Sequence, residues 1–243
     1  MNRTLLLAFL LAIVAAVIWL ANDAVDTRAS EKMTKSVRSA ECFHETELRQ
    51  SIGTLKEQGG SNVENVSQSL LTKAEADYGC RVQVVQALIS SMSQATNPAT
   101  NQYENFFLWF HGAGLLADLK ATEALDLLIA NIDFTDGFST TISESHFPAL
   151  VAIVRIGQPA IPKLQAVLSN DSESDRRKFA AFCIAYIGGD HAKMALKTAL
   201  PRETDTCVKT FLQISLTAFN NKEKPNHISS ALNGKWLGAF YCR

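Results

Sequence analysis

The first residues whose type and spacing could support chemistry are a His-Glu pair. His44 and Glu45 form the first half of the His-Glu-x-x-His motif, with which helices of metalloproteases bind zinc. The second histidine would stand at position 48, where the sequence has Leu48. We therefore reject a zinc-protease site and interpret this pair as part of an exposed helix face.

A second candidate is His111, which follows two aromatic residues and lies beside two glycines. The surrounding string is Trp109-Phe110-His111-Gly112-Ala113-Gly114. His111 fits a cleft-lining residue that would form a titratable pair with an acidic neighbour, but a histidine at the edge of the core is the favoured interpretation. The glycines predict close approach by a neighbouring helix, at a cost in helix propensity.

An acidic turn directly precedes a basic helix start. Asp171, Glu173 and Asp175 are candidate calcium ligands, but their alternation is too short for an EF-hand loop. A solvated turn is the favoured interpretation. The Arg-Arg-Lys string at 176–178 is a candidate phosphate or anionic-lipid site, whereas local charge pairing is the plainer interpretation.

Charge and missing motifs exclude several functional classes. The formal net charge is −1 over 243 residues, which argues against a nucleic-acid partner, because such proteins carry a basic excess or stripe. The sequence contains no GxSxG, P-loop or GxGxxG string. We therefore predict no catalytic residue, no cofactor and no metal, and expect that the protein is not an enzyme.

In an oxidising compartment the five cysteines would form pairs and leave one free thiol. No pair has CxxC spacing, which argues against a zinc ribbon or a thioredoxin-type site. Cys183 lies in the apolar string FAAFCIAYI, so we predict a buried free thiol. The other four allow three connectivities, of which sequence proximity favours Cys42–Cys80 and Cys207–Cys242. The alternative is that all five are reduced.

The N-terminal segment predicts export. Residues 5–21 form an unbroken apolar run behind Arg3, whose length falls between a signal peptide and a full membrane span. Residues 1–24 are therefore either a cleaved signal peptide or an N-terminal membrane anchor, and a buried core helix is a third interpretation. If uncleaved, residues 5–21 would bind the membrane.

The elements that position these residues contain an internal repeat. Residues 150–168 read LVAIVRIGQPAIPKLQAVL, and residues 181–200 read AFCIAYIGGDHAKMALKTAL. Ile187-Gly188 follows Ile156-Gly157 by 31 positions. A helix, a glycine turn and a second helix repeating at about 30 residues predict an α-solenoid. The predicted fold class is all-α.

Four regions follow from this pattern. They are the signal or anchor at 1–24, an N-terminal helical region at 25–102, the repeats at 103–219 and a capping tail at 220–243. We expect the 133–146 segment to be a loop at one edge of the array. We expect the aromatic end of the tail to fold over the last helix, and an exposed docking motif is the alternative.

The repeat strings resemble a known family. RIGQPAIPKLQAVL and RRKFAAFCIAYIGGDHAKMALKTAL are similar to HEAT repeats of the short bacterial type, the type found in bilin lyases, and ADLKATEALDLLIANI at 117–132 resembles another copy. The chain also resembles uncharacterised exported bacterial proteins with such repeats. Because HEAT arrays serve mostly as scaffolds and peptide-binding surfaces, the resemblance implies an α-solenoid that binds a protein or peptide.

The resemblance also implies where a groove would lie, because the second helices of HEAT repeats usually line the concave face. The candidate groove residues are Thr122, Glu123, Asp126, Gln158, Lys163, Gln165, His191, Lys193 and Lys197. The set becomes more basic toward the C-terminus. We expect a non-enzymatic scaffold in the bacterial periplasm or envelope that binds an unidentified protein or peptide. The alternatives are a lyase or other enzyme on the same scaffold, and a structural envelope protein.

Overall fold

The computed structural model describes residues 42–95, 102–135 and 146–220, and these ranges contain helices and turns but no strand. The described part of the chain is therefore all-α, as predicted. The first five α-helices are α1 (Glu45–Thr54), α2 (Ser61–Ala76), α3 (Tyr78–Gln94), α4 (Gln102–Asp118) and α5 (Leu125–Ala130). The next five are α6 (Pro148–Ile156), α7 (Ile161–Asn170), α8 (Ser174–Ile187), α9 (Gly189–Ala199) and α10 (Thr206–Asn220). Short 3-10 turns at Thr122–Ala124 and Gln158–Ala160 lead into α5 and α7.

From α2 to α8, each helix packs against the next helix but one along the chain. The exception is α3, which contacts the turn that leads into α5. The contacts α2–α4, α4–α6, α6–α8 and α8–α10 form one series, and α3 with the Thr122–Ala124 turn, α5–α7 and α7–α9 form a second. Helices of different series also contact each other; for example, α7 packs against α8. The core lies between the series, and its fully buried members include Leu88, Leu116, Leu128, Ile153, Leu164, Phe182 and Leu196.

Part of the predicted N-terminal helical region joins the same packing. Within residues 25–102, α2 packs against α4, and α3 packs against α4 and the turn that follows it, while α1 lies against α2 and α3. Residues 61–94 therefore contribute to the same two series as the repeats, although their sequence shows no repeat motif.

Glycines end two helices where the sequence pattern places them. Gly157 follows α6 with φ 90°, and Gly188 follows α8 with φ 71°. Only glycine adopts such backbone angles without steric cost. Pro148 is the first residue of α6, where its missing N–H leaves no hydrogen bond unmade. Local stereochemistry thus sets the helix ends in the repeat region.

The cysteines follow the predicted assignment where they are described. Cys42 and Cys80 form a disulfide, which confirms that pair. Cys207 is disulfide-bonded as well, whereas Cys242 lies outside the described residues. Cys183 is a free thiol with no exposed surface, as predicted. Burial raises the pKa of this thiol, so it is protonated and unreactive at neutral pH.

No helix in the described ranges combines the length and apolar character needed to cross a bilayer. The apolar run at 5–21 lies outside those ranges. So do most of the predicted 133–146 loop and the tail from 221 to 243 with its aromatic residues.

Candidate functional site

The predicted groove residues lie on neighbouring helices of the second series. Thr122 and Glu123 are in the turn before α5, and Asp126 is on α5. Gln158 is in the turn before α7, which carries Lys163 and Gln165, and α9 carries His191, Lys193 and Lys197. Since α5 contacts α7 and α7 contacts α9, the fold brings the three groups side by side.

Ion pairs engage the acidic members of this set. The guanidinium of Arg81 on α3 binds Glu123 through two contacts, at 2.6 Å and 3.2 Å. The hydrogen bond from Arg81 lowers the pKa of the Glu123 carboxyl. The Lys163 Nζ lies 2.5 Å from Asp126 Oδ1. These contacts join α3 to the turn before α5, and α5 to α7, and each neutralises an acidic member of the set with a basic residue.

The two glutamines differ in what they contact. Gln158 Nε2 donates a hydrogen bond to the carbonyl of Gly188 at 2.7 Å, which joins the turn before α7 to the turn before α9. An added Cβ at Gly189 would stand 3.0 Å from the same nitrogen. Gln165 is half-buried, and its backbone carbonyl accepts from Ser169. Gln158 is therefore a contact between turns of the fold.

The basic members on α9 have no carboxylate partner among the described residues. His191 and Lys197 are exposed and Lys193 is half-buried. Met194 lies beside them and is 65% exposed. Asp190 in the first turn of α9 is the acidic residue of this helix, and it pairs with no cation in the described ranges. We call Lys193, Met194 and Lys197 the basic face.

Charge pairing of the basic string at 176–178 is confirmed, but it is only partly local, since Arg177 pairs with Glu203, 26 positions away, and Lys178 is buried rather than solvated. Arg176 binds Asp171 at 2.8 Å, and Lys178 binds Asp175 at 2.5 Å. Arg177 holds both carboxylate oxygens of Glu203, at 2.9 Å and 3.0 Å. The acidic turn therefore has arginine and lysine partners, and no set of three metal-ligating side chains occurs in the described part of the chain.

The burial of the Arg177–Glu203 pair shapes its electrostatics. The two side chains are 12% and 5% exposed. Burial alone would raise the pKa of the Glu203 carboxyl, but Arg177 and the backbone N–H groups of Asp205 and Thr204 together outweigh that effect, and the pKa is lowered. Glu203 thus stays ionised in a poorly hydrated position because a cation and two N–H donors bind its carboxylate.

A separate cleft of about 380 Å³ lies between α2, α4 and α6. Its walls are mostly apolar and include Phe110, which is 40% exposed, together with Leu115 and Val151. The lining also includes an ion pair between Asp118 and Arg155. A larger cleft of about 890 Å³ lies between α1, α3 and α4 and has a mixed polar and apolar lining.

His111 lines the smaller cleft. Its ring stacks on Phe107 at a centroid distance of 6.3 Å and meets Phe110 edge-on at 5.1 Å. Burial lowers the pKa of His111, while backbone contacts with Glu57 and Gln58 act the other way. The imidazole is therefore neutral at pH 7, and its Nε2 is buried without a hydrogen-bond partner among the described residues.

The cleft does not supply the acidic partner for His111 that an acid–base pair would need. Asp118, the carboxylate that lines the same cleft, is ion-paired with Arg155. The enzyme alternative therefore gains no support from the arrangement around His111.

The two glycines of α4 have different surroundings. A Cβ added at Gly112 would lie 2.9 Å from Met92 Sδ, whereas a Cβ added at Gly114 would meet nothing within 4 Å. The prediction of close helix approach is confirmed at Gly112 and wrong at Gly114, which lines the open cleft. Sequence reasoning offered His111 as a cleft-lining residue but favoured a position at the core edge, and it did not place Gly114 in this cleft.

Fold and site together define an all-α protein whose helices pack in two series and are joined by ion pairs. No family model, curated protein or solved structure matches the chain.

Proposed function

We propose that helices α2–α10 form an α-solenoid of HEAT-like helix pairs, and that the protein is a non-enzymatic scaffold that binds an acidic protein segment on the basic face. The packing of each helix against the second one along supports a solenoid, because such arrays stack repeats on their neighbours. The HEAT assignment rests on the repeat strings within 103–219.

The binding proposal rests on one observation: some charged residues of the second series are in ion pairs and others are not. Glu123, Asp126 and Lys163 are held in ion pairs, whereas Lys193 and Lys197 have no such partner in the described ranges. Opposite charges across an interface raise the association rate and select the partner. An acidic segment therefore complements the face that remains.

The protein's own C-terminal residues do not offer the missing charge. Residues 221–243 contain three lysines and one arginine against a single glutamate. Their excess is basic, so they would repel Lys193 and Lys197 rather than neutralise them. Residues 221–243 are accordingly not the acidic segment that this proposal requires.

The compartment follows from the disulfide and the N-terminus. Disulfides persist outside the reducing cytosol, and Cys42–Cys80 is consistent with an oxidising environment. Together with the apolar run at 5–21, this favours export to the periplasm or cell envelope of a bacterium, with either a cleaved signal or a retained anchor.

The test is a binding titration with the full chain and two labelled peptides, one rich in glutamate and one with lysine at the same positions. Fluorescence anisotropy at low salt should show binding of the glutamate peptide only. The Lys193→Glu/Lys197→Glu variant should lose at least about tenfold in affinity, because like charges then face each other.

The matched control is Lys56→Glu/Lys209→Glu, which makes the same change in net charge at two exposed lysines that are not on α9. It should retain the affinity of the unmodified protein. Equal binding of both peptides, or an equal loss in the control variant, would show that only net charge matters and would overturn the assignment to the basic face.

A further inference from the structure

The short junction between α2 and α3 carries an exposed acidic segment. Residues 75–78 read Glu-Ala-Asp-Tyr, and all four are exposed. Within the described part of the chain, neither Glu75 nor Asp77 pairs with a cation, and Asp77 caps α3 through a backbone N–H. The nearest cations along the chain, Lys73 and Arg81, are held by other carboxylates. We call residues 75–78 the acidic junction.

The acidic junction and the basic face each present one exposed apolar side chain. Tyr78 is 71% exposed and Met194 is 65% exposed, and they are two of the three large hydrophobic residues that are exposed in the described ranges. Removing both from water in one contact is favourable, and a methionine sulfur beside an aromatic ring adds to that gain. The two surfaces therefore match in apolar character as well as in charge.

The charges on the two surfaces are spaced alike. Lys193 and Lys197 are about one helical turn apart, which is about 6 Å along the axis of α9. Glu75 and Asp77 are two residues apart, and because Asp77 is extended, with φ −142° and ψ 132°, their separation along the chain is at most about 7 Å. Lysine side chains are flexible, so each ammonium can face one carboxylate without a change in either backbone.

The two surfaces lie too far apart to meet within one molecule. The acidic junction leads into α3, the first member of the second series, and the basic face is on α9, the last described member. Helices α5 and α7 lie between them in that series. Packed helices are about 8–10 Å apart, so three such steps separate α3 from α9. A contact between the two surfaces therefore needs two copies of the chain.

We propose that the acidic segment bound by the basic face is the acidic junction of a second copy of this chain. The two carboxylates of one copy pair with the two lysines of the next, and Tyr78 packs against Met194. This inference rests on the proposed function and names its partner. Because the two surfaces differ, the contact is heterologous and joins copies head to tail.

The experiment is sedimentation velocity of the full chain over a concentration series, in a non-ionic detergent that covers the apolar run at 5–21. The unmodified protein should form oligomers that grow with concentration and dissociate at high salt, because salt screens contacts between exposed charges. Lys193→Gln/Lys197→Gln and Glu75→Gln/Asp77→Asn should each raise the dissociation constant at least about tenfold. Asparagine caps a helix as well as aspartate does, so the second variant keeps the start of α3.

A mixture of the two variants tests the head-to-tail geometry. The lysine variant keeps the acidic junction and the carboxylate variant keeps the basic face, so the mixture should form dimers and nothing larger, while each variant alone stays monomeric. The controls Lys56→Gln/Lys209→Gln and Glu57→Gln/Glu64→Gln remove the same charges at exposed residues outside both surfaces, and should associate like the unmodified protein. Circular dichroism should show that each variant is folded.

The outcomes separate this inference from the proposed function. Association that both surface variants retain, or that the controls lose equally, overturns the contact between copies. Loss in only one of the two surface variants also overturns it, because that surface would then bind something other than its proposed counterpart. An unmodified protein that is monomeric but binds the glutamate-rich peptide through the basic face would exclude a second copy as the partner and leave the proposed function intact. A monomer that does not bind the peptide would overturn both.

Discussion

Two ion pairs join neighbouring segments of this protein in different surroundings. Arg177 and Glu203 are 12% and 5% exposed, whereas Lys163 and Asp126 are 44% and 82% exposed. A buried charge that loses its partner stays desolvated without compensation, while an exposed one is solvated by water. The same type of contact is therefore a structural requirement at α8 and is replaceable between α5 and α7.

The largest effect is expected from the buried pair. Arg177→Met removes the cation beside the Glu203 carboxylate, which keeps hydrogen bonds from the backbone N–H groups of Thr204 and Asp205. It should lower the free energy of unfolding by about 3 kcal/mol, the low end of the cost of breaking a buried pair. Urea unfolding followed by circular dichroism measures this loss. The double variant Arg177→Met/Glu203→Met should recover part of the stability, because both charges are then gone but the two N–H groups lose their acceptor. If Arg177→Met alone were as stable as the unmodified protein, the proposed difference between the buried and the exposed ion pair would be wrong.

The two glycines of α4 extend the comparison to packing. Gly112→Leu forces a side chain against Met92, which is fully buried, and should cost about 1–3 kcal/mol through overpacking. Gly114→Leu enters open space and should stabilise by about 0.5–1 kcal/mol, through helix propensity. Thermal unfolding of the two variants in parallel shows whether each substitution raises or lowers the stability. A loss of stability at Gly114 would mean that the cleft is closed in solution.

The pH dependence of stability tests whether His111 is partly buried in the folded protein. Burial lowers its pKa below the ordinary value of 6.5, so the unfolded chain binds a proton at higher pH than the folded chain does. This contribution to stability is complete above about pH 6.5 and is lost as pH falls through the folded-state pKa, with a limit of about 1.4 kcal/mol per pH unit for one proton.

The measurement is the urea midpoint at about pH 8 and about pH 5.5. His111→Gln should reduce the difference between the two values, because the replacement does not titrate. His191→Gln, at an exposed histidine on α9, is the control and should leave the difference as it is. An unchanged difference in His111→Gln would assign the pH dependence to other groups.

The smallest effect is expected at the exposed pair. Lys163→Gln removes the cation beside Asp126 but leaves that carboxylate in water, so stability should change by less than about 1 kcal/mol. This small difference should shrink further at high salt, because salt screens the interaction between exposed charges. A loss comparable to that of Arg177→Met would show that exposure does not control the worth of these contacts.

Much of the local structure was predictable from the residues. The Ile-Gly strings placed the ends of α6 and α8, and the apolar surroundings of Cys183 predicted a buried thiol. These features depend on backbone stereochemistry and on hydrophobic spacing within one or two turns of helix. Residues 61–94 belong to the region that was predicted to be helical, and they form two helices. Because they carry no repeat string, the sequence did not indicate that these helices join the same two packing series.

The candidate site was less predictable. The groove residues were placed on neighbouring helices, but nothing in their types distinguishes Lys163, which pairs with a carboxylate 37 positions away, from Lys193 and Lys197, which have no such partner in the described ranges. Gly112 and Gly114 are equivalent in sequence and differ only in what faces them. Side-chain availability depends on neighbours that are far apart along the chain.

The sequence by itself determined that this chain is helical, where its repeat-region helices end, and which cysteines are suited to pair. Those properties follow from interactions between residues close in sequence, or from side-chain chemistry alone. The tertiary structure decided which charges are consumed in ion pairs, which glycine is packed and which is open, and where a cleft remains. Those properties arise only when helices distant in sequence are brought together, because burial and partner distance are set by the packing of several helices at once.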